Sequence, residues 1–179
     1  LVGELLVLES LIDQFGIDQA LDGWIGSGNE EHDFGLNSVD LEVKTTTSES
    51  RTHWISSPTQ LMPLEKRELR LISIQVTPRE NGDAPNLADL VKIIVQKLGS
   101  RSSHLWQKLA DVGYAPEDED LYSTRWFLRS EIQEFIVDAN FPKITSDELT
   151  QIGLSGTEIP EIKYRLSLDG QQKATPIVT

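Results

Sequence analysis

The feature that most constrains this chain is the run Val39-Asp40-Leu41-Glu42-Val43-Lys44. Apolar and charged residues alternate with the two-residue period of a strand, so Val39, Leu41 and Val43 share one face while Asp40, Glu42 and Lys44 share the other. Three charges therefore emerge side by side. A second strand-like run, His32-Asp33-Phe34, precedes it across a Gly35-Leu36-Asn37-Ser38 turn. If the two runs pair as a hairpin, Asp33 comes alongside Glu42, and two carboxylates and an ammonium converge at one sheet edge.

The flanking pattern supplies the frame. Gly3 to Phe15 reads as a buried helix, with Leu5, Leu8, Ile12 and Phe15 on one stripe widened by Leu6, Val7 and Leu11. Trp24-Ile25-Gly26 reads as a short strand. After the charged run come a turn at Glu49-Ser50-Arg51, a strand around His53-Trp54-Ile55, a helical turn from Pro58 to Leu64, and a strand from Arg70 to Val76. The pattern then changes to helices: Asn86 is the expected N-cap, with Asp89 in the first turn, of a helix carrying Leu87, Leu90, Val91, Ile94 and Leu98 and stopping at Gly99. A second helix is expected over Ser103 to Val112. Leu121 to Val137 reads as one long or two short strands, Ser146 as the cap of a short helix, and Ile162 to Leu168 as a last strand.

The expected fold class is α/β: a mixed sheet of four or five strands flanked by helices, with additional C-terminal strands extending the sheet or forming a lobe. No internal repeat divides residues 1–179, which are expected to form a single domain. Because the chain opens on Leu1, already inside a helical pattern, it is expected to be the C-terminal part of a longer protein.

Composition narrows the function. There is no cysteine, which excludes a disulfide framework and thiol chemistry, and no apolar run approaches the length of a membrane span. A cytoplasmic location with no membrane partner is expected. The net charge of −13 opposes nucleic-acid binding, which draws on Lys and Arg. The charge is uneven, however: residues 1–41 carry −9, residues 42–79 carry +2 and residues 80–179 carry −6. The net-basic segment begins at Glu42.

His32-Asp33 followed by Glu42-Val43-Lys44 resembles the PD-(D/E)xK nuclease motif, with His in place of the usual Pro. The wider string is similar to a bacterial family of PD-(D/E)xK-motif proteins associated with restriction-modification and phage-defence loci. It comprises Gly3-Glu4-Leu5-Leu6 at the head, Leu41 to Thr47, His53-Trp54-Ile55-Ser56-Ser57 and Gln60-Leu61. The resemblance implies a restriction-endonuclease-like core and a Mg²⁺-dependent (or Mn²⁺-dependent) DNA endonuclease that hydrolyses phosphodiesters by a metal-activated water. Asp33 and Glu42 would bind the metal, Lys44 would assist the water, and Glu4 would be an auxiliary ligand. Two carboxylates with hard oxygens suit Mg²⁺, which binds phosphate and keeps several waters. Double-strand cutting implies a homodimer or a partner subunit of a restriction or defence system. The alternative is a catalytically inactive nuclease-fold module for DNA binding or assembly.

Further residues are candidates for holding DNA: Thr45, Thr46 and Thr47 through hydroxyls and backbone N–H groups, Arg51 and His53 from the following hairpin, and Ser57 and Gln60 after it. Each has a plain structural reading beside it. The threonines suit a strand end, Arg51 and His53 an exposed turn, and Ser57 a cap before Pro58. A Glu-x-Lys spacing by itself is also a common surface ion pair. His32 and His53 without cysteine make a poor zinc site, and the four tryptophans are expected to pack in the core.

Overall fold

The computed structural model describes residues 1–25, 31–154 and 161–178. The chain begins with α1 (Val2–Phe15) and α2 (Ile17–Gly23), separated by Gly16 at φ +86°. Leu5, Val7, Leu8, Leu11 and Ile12 are buried as the apolar stripe requires. Phe15 departs from it: at the helix end, where the chain turns into α2, it is 42% exposed. Trp24 makes a single bridge to Phe34, not a strand, and Gly26 lies outside the described residues.

The hairpin forms. β1 (Phe34–Leu36) pairs antiparallel with β2 (Val39–Thr46), Phe34 opposite Leu41. The turn shrinks to Asn37 and Ser38, with Gly35 and Leu36 absorbed into β1. Next, β3 (Thr52–Ile55) leaves the sheet, and β4 (Glu68–Arg79) returns parallel to β2, with Glu42 beside Leu71 and Lys44 beside Ser73. On the edge opposite β2, residues 70–73 of β4 pair with β6 (Gln133–Ile136), and its distal residues 76–79 pair with β5 (Arg125–Leu128). Leu121 to Val137 thus resolves into two short strands, and among the described residues the main sheet has five strands. β7 (Tyr164–Ser167) pairs instead with β3 in a separate two-stranded sheet. The C-terminal strands therefore do both things expected of them, extending the sheet and building a lobe.

Helices α3 (Leu87–Leu98) and α4 (Ser102–Asp111) join α1 on one face, packing with Leu41, Val43, Ile72, Ile74 and Val76. The opposite face carries Leu69 and Leu71, covered by Ile55, Leu61, Phe135, Leu166 and Leu168. Each fully buried aliphatic side chain stabilises by about 2 kcal/mol, and β4 contributes to both cores by alternation. Asn86 and Asp89 close a capping box on α3; on α5 (Ser146–Gln151) the cap is Thr145 with Glu148, one residue before the expected Ser146.

Two close fits fix the geometry around β2 and β6. A Cβ on Gly3 would lie 1.9 Å from Thr45 Oγ1, so only glycine lets α1 rest directly on β2. Glu134, 1% exposed, accepts hydrogen bonds from the backbone N–H groups of Ile177 (2.7 Å) and Val178 (2.5 Å) and from Arg70 (3.1 Å), tying the C-terminal segment to β6. Among the described residues, no helix is long and apolar enough to cross a membrane.

Candidate active site

Strand alternation puts Asp40, Glu42 and Lys44 on one face of β2, but that face is not solvated: Asp40 and Glu42 are each 3% exposed. The small β3–β7 sheet and its core cover it. Burying a carboxylate is costly unless it is paired, so each acid's partners decide its chemistry.

Asp33 stands immediately before β1, where the hairpin register carries it toward Glu42. The Val43 N–H donates to Asp33 Oδ2 at 2.7 Å, which anchors the side chain to the motif strand. Lys44 Nζ lies 2.8 Å from Glu42 Oε1. Glu4, in the first turn of α1, accepts from the Trp24 indole N–H (3.2 Å).

The electrostatics bind these four residues into one neighbourhood. Burial, then the negative charge of Glu4, pushes Asp33 up to about 6, against the Val43 N–H and Lys44. Burial, then Asp33, pushes Glu42 up to about 8, with Lys44 opposing and Glu4 adding to the rise. Glu4 raises both acids and Asp33 raises Glu42, so negative charge is crowded here beyond what Lys44 offsets. A cation would relieve the crowding.

Asp40, two residues earlier on the same face, is satisfied. Arg67 clamps it through Nε (2.8 Å) and Nη2 (2.7 Å) and also donates to the carbonyls of Asn37, Leu36 and Val39 around the hairpin turn. His32, in the position of the motif's proline, is buried beside this pair with Nδ1 3.9 Å from Asp40. Burial lowers its pKa.

The other candidate residues are distributed differently from expectation. Arg51 is not an exposed turn residue: it is buried and donates to Ser73 O (2.8 Å), Ser73 Oγ (2.9 Å), Ser130 Oγ (2.7 Å) and Glu131 O (2.5 Å). Its guanidinium is committed to joining β3, β4 and the loop after β5. His53 is likewise buried, its Nε2 2.7 Å from Ser73 Oγ and its Nδ1 without a hydrogen-bond partner among the described residues. Burial, then Lys44 and Arg51, lowers it to about 4, so it is neutral near pH 7. Ser57 and Gln60 shape the 56–61 turn: Ser57 Oγ meets Thr59 Oγ1 at 2.8 Å, and Gln60 Oε1 accepts from Ser56 N–H at 2.8 Å. Thr45 and Thr47 are exposed; Thr46 Oγ1 accepts from Ser48 N–H (3.1 Å). All three threonines line a cavity of about 390 Å³ beside Gly3 and Trp126.

Of the tryptophans, Trp24 is fully buried, but Trp54 is 61% exposed on the outer face of β3, with Arg165 over its ring. Of the partners that define the site, Arg67 and Ser73 carry no assigned role in the sequence reading, and Trp24 is read there only as strand and core. Ser73 carries the clearest signal, as the one hydroxyl inside the apolar stretch Leu71-Ile72-Ser73-Ile74.

The donor chemistry fits a divalent cation held by Asp33 and Glu42: two hard carboxylates in charge deficit, with Lys44 adjacent. Among the described residues, no three His, Asp or Glu side chains are arranged as a ligand set. The fit is therefore to an ion bound by two carboxylates and water, as Mg²⁺ commonly is.

Comparison with curated proteins and with solved structures returned no match. A family model described as "Putative PD-(D/E)XK family member, (DUF4420)" matches residues 1–169. That span includes α1 with Glu4, the Asp33 hairpin, the Glu42–Lys44 strand and the small sheet over it, so this α/β chain belongs to the DUF4420 family and has its nuclease-like fold.

Proposed function

We propose that the chain is a Mg²⁺-dependent (or Mn²⁺-dependent) DNA endonuclease of restriction type, acting in the cytoplasm as a homodimer or beside a partner subunit of a restriction or defence system. The observation that carries this reading is that the hairpin sets Asp33, held by the Val43 N–H at 2.7 Å, toward Glu42, which Lys44 contacts at 2.8 Å. Asp33, pinned by Val43 N–H, and Glu42 would hold the ion; Glu4 adds negative charge from α1. When bound, the ion supplies Lewis acidity and lowers the pKa of coordinated water. Lys44 brings positive charge to the position where a scissile phosphate gains negative charge during attack. The α1–β2 contact at Gly3 and the buried Arg51–Ser73–His53 cluster keep the motif strand from shifting. Thr45, Thr46 and Thr47 would offer neutral donors to phosphate oxygens.

A second reading, a nuclease fold without cleavage, draws on the 2.8 Å Lys44–Glu42 pair, which occupies both residues internally. One experiment separates the two. With Mg²⁺, plasmid DNA is expected to be cut by the intact chain and at least about 100-fold more slowly by Lys44→Ala and Asp33→Ala. Equal cutting by all three proteins would refute the catalytic assignment. Metal-dependent binding without cutting would favour the second reading.

A further inference from the structure

The main sheet continues past the site. Beyond residue 75, β4 pairs with β5, Thr77 opposite Phe127 and Arg79 opposite Arg125, and the Arg129 N–H donates to Gln75 O. Directly opposed residues of an antiparallel pair share a face, as do residues two apart along a strand. Gln75, Thr77, Arg79, Arg125, Phe127 and Arg129 therefore lie on one face, which by the β2–β4 register is the face of Glu42 and Lys44.

This ribbon concentrates three arginines in a chain of net charge −13. Arg125 is spent internally, donating to Ala84 O (2.6 Å) and Asp89 Oδ2 (3.3 Å). Arg79 and Arg129 are exposed, and among the described residues neither forms an ion pair with a carboxylate. Both are nevertheless held in place. The Arg79 guanidinium lies 4.7 Å from the Phe127 ring centroid, and Arg129 Nε donates to Thr77 Oγ1 at 3.1 Å. Phe127 is seated in turn on Gly82 (φ +131°), where a Cβ would come within 2.4 Å of the ring. Two ordered guanidinium groups without acidic partners suit phosphate oxygens, for which the planar fork of arginine is well shaped.

We propose that the β4–β5 ribbon is the site where the backbone of substrate DNA is held, through Arg79 and Arg129, on the sheet face that carries Glu42 and Lys44. Six residues of strand separate Ser73, the register partner of Lys44, from Arg79, roughly 20 Å. At about 3.4 Å per base pair this is on the order of six base pairs, so one duplex is long enough to span from the ribbon to Lys44, whose side chain is partly exposed. The inference rests on the nuclease reading for its substrate and adds the surface that gives an acidic chain its hold on it.

The test is fluorescence anisotropy of a labelled duplex with wild type, Arg79→Gln/Arg129→Gln and Arg79→Lys/Arg129→Lys, titrated in metal-free buffer between about 50 and 200 mM salt. Loss of two phosphate contacts is expected to make the slope of log K against log salt shallower by about 1.8 and to weaken binding about tenfold at the lower salt. The lysine variant keeps the charge and is expected to recover most of the slope, which also controls for folding. Lys66→Gln, removing an exposed cation elsewhere, should leave the slope unchanged. A double glutamine variant with the wild-type slope, in a protein that cuts DNA, overturns the ribbon and leaves the nuclease. A wild type that binds no duplex overturns both.

Discussion

Asp40 and Glu42 are two carboxylates on the same face of the same strand, equally buried, and their surroundings give them opposite tasks. Asp40 receives a two-pronged arginine that also staples the hairpin turn, so its charge is matched and its role is to hold β1 against β2. Glu42 receives a single lysine and faces Asp33 and Glu4, so its charge is undermatched. Burial alone does not mark a functional acid. What distinguishes Glu42 is burial with too little positive charge nearby.

The largest expected effect that tests this contrast is catalytic. Lys44→Ala should lower cleavage to about 1% of the wild-type rate or less, whereas Arg67→Lys, which keeps a cation beside Asp40, should cut at close to the wild-type rate per folded molecule. Comparable losses in a plasmid-nicking assay would mean that the two acids are not functionally distinct. Stability should reverse the ranking. Asp40→Asn leaves Arg67 facing a neutral amide and is expected to cost about 3 kcal/mol, while Glu42→Gln removes a charge that burial already disfavours and should stay within about 1 kcal/mol of wild type. Urea unfolding in metal-free buffer measures both, and equal losses would erase the distinction.

A smaller effect lies in pH. Asp33 and Glu42 have folded pKa values above their unfolded ones, so their stabilising contribution is complete below about pH 4 and is lost as pH rises through about 6 and then about 8. The metal-free melting temperature should fall across that window, and Glu42→Gln should flatten its upper part. Mg²⁺ should restore wild type near pH 8 and have little effect on Glu42→Gln. His53 has the opposite sign: its folded value near 4 gives stability that is complete above about 6.5 and lost as pH drops through about 4. A wild-type melting temperature that rises from pH 5 to 8 without metal would contradict the charge deficit at the site.

Features decided by neighbouring residues were legible in the sequence. The capping box at Asn86 and Asp89, the helical stripe of α1 and the alternation of β2 are all written within a few residues of one another. The hairpin that carries Asp33 toward Glu42 was legible too, from two strand-like runs close in sequence, although its turn is shorter than the four residues expected. Burial of the charged face was not legible, since β3 reaches across more than a hundred residues to pair with β7. For the same reason Arg51 reads as a turn residue while its partners lie at Ser73, Ser130 and Glu131. Trp54 reads as core by residue type and is left outside by strand parity, because His53 and Ile55 take the inward positions. The arginine ribbon depends on the register of β4 with β5 and has no local signature at all.

The tie between Glu134 and the C-terminal segment bears on where this protein can be cut without harm. Family similarity ends at residue 169, and trimming there for expression would look conservative. Yet Ile177 and Val178, beyond that boundary, furnish two of the amide protons that make a carboxylate tolerable in the interior, and Ala174 N–H donates to the backbone carbonyl of the same glutamate. A shortened chain would keep every residue of the shared motif while leaving Glu134, among the described residues, with Arg70 as its remaining side-chain partner. The folded unit thus runs past the matched span, and a purification tag or fusion joint placed at residue 169 would disturb it.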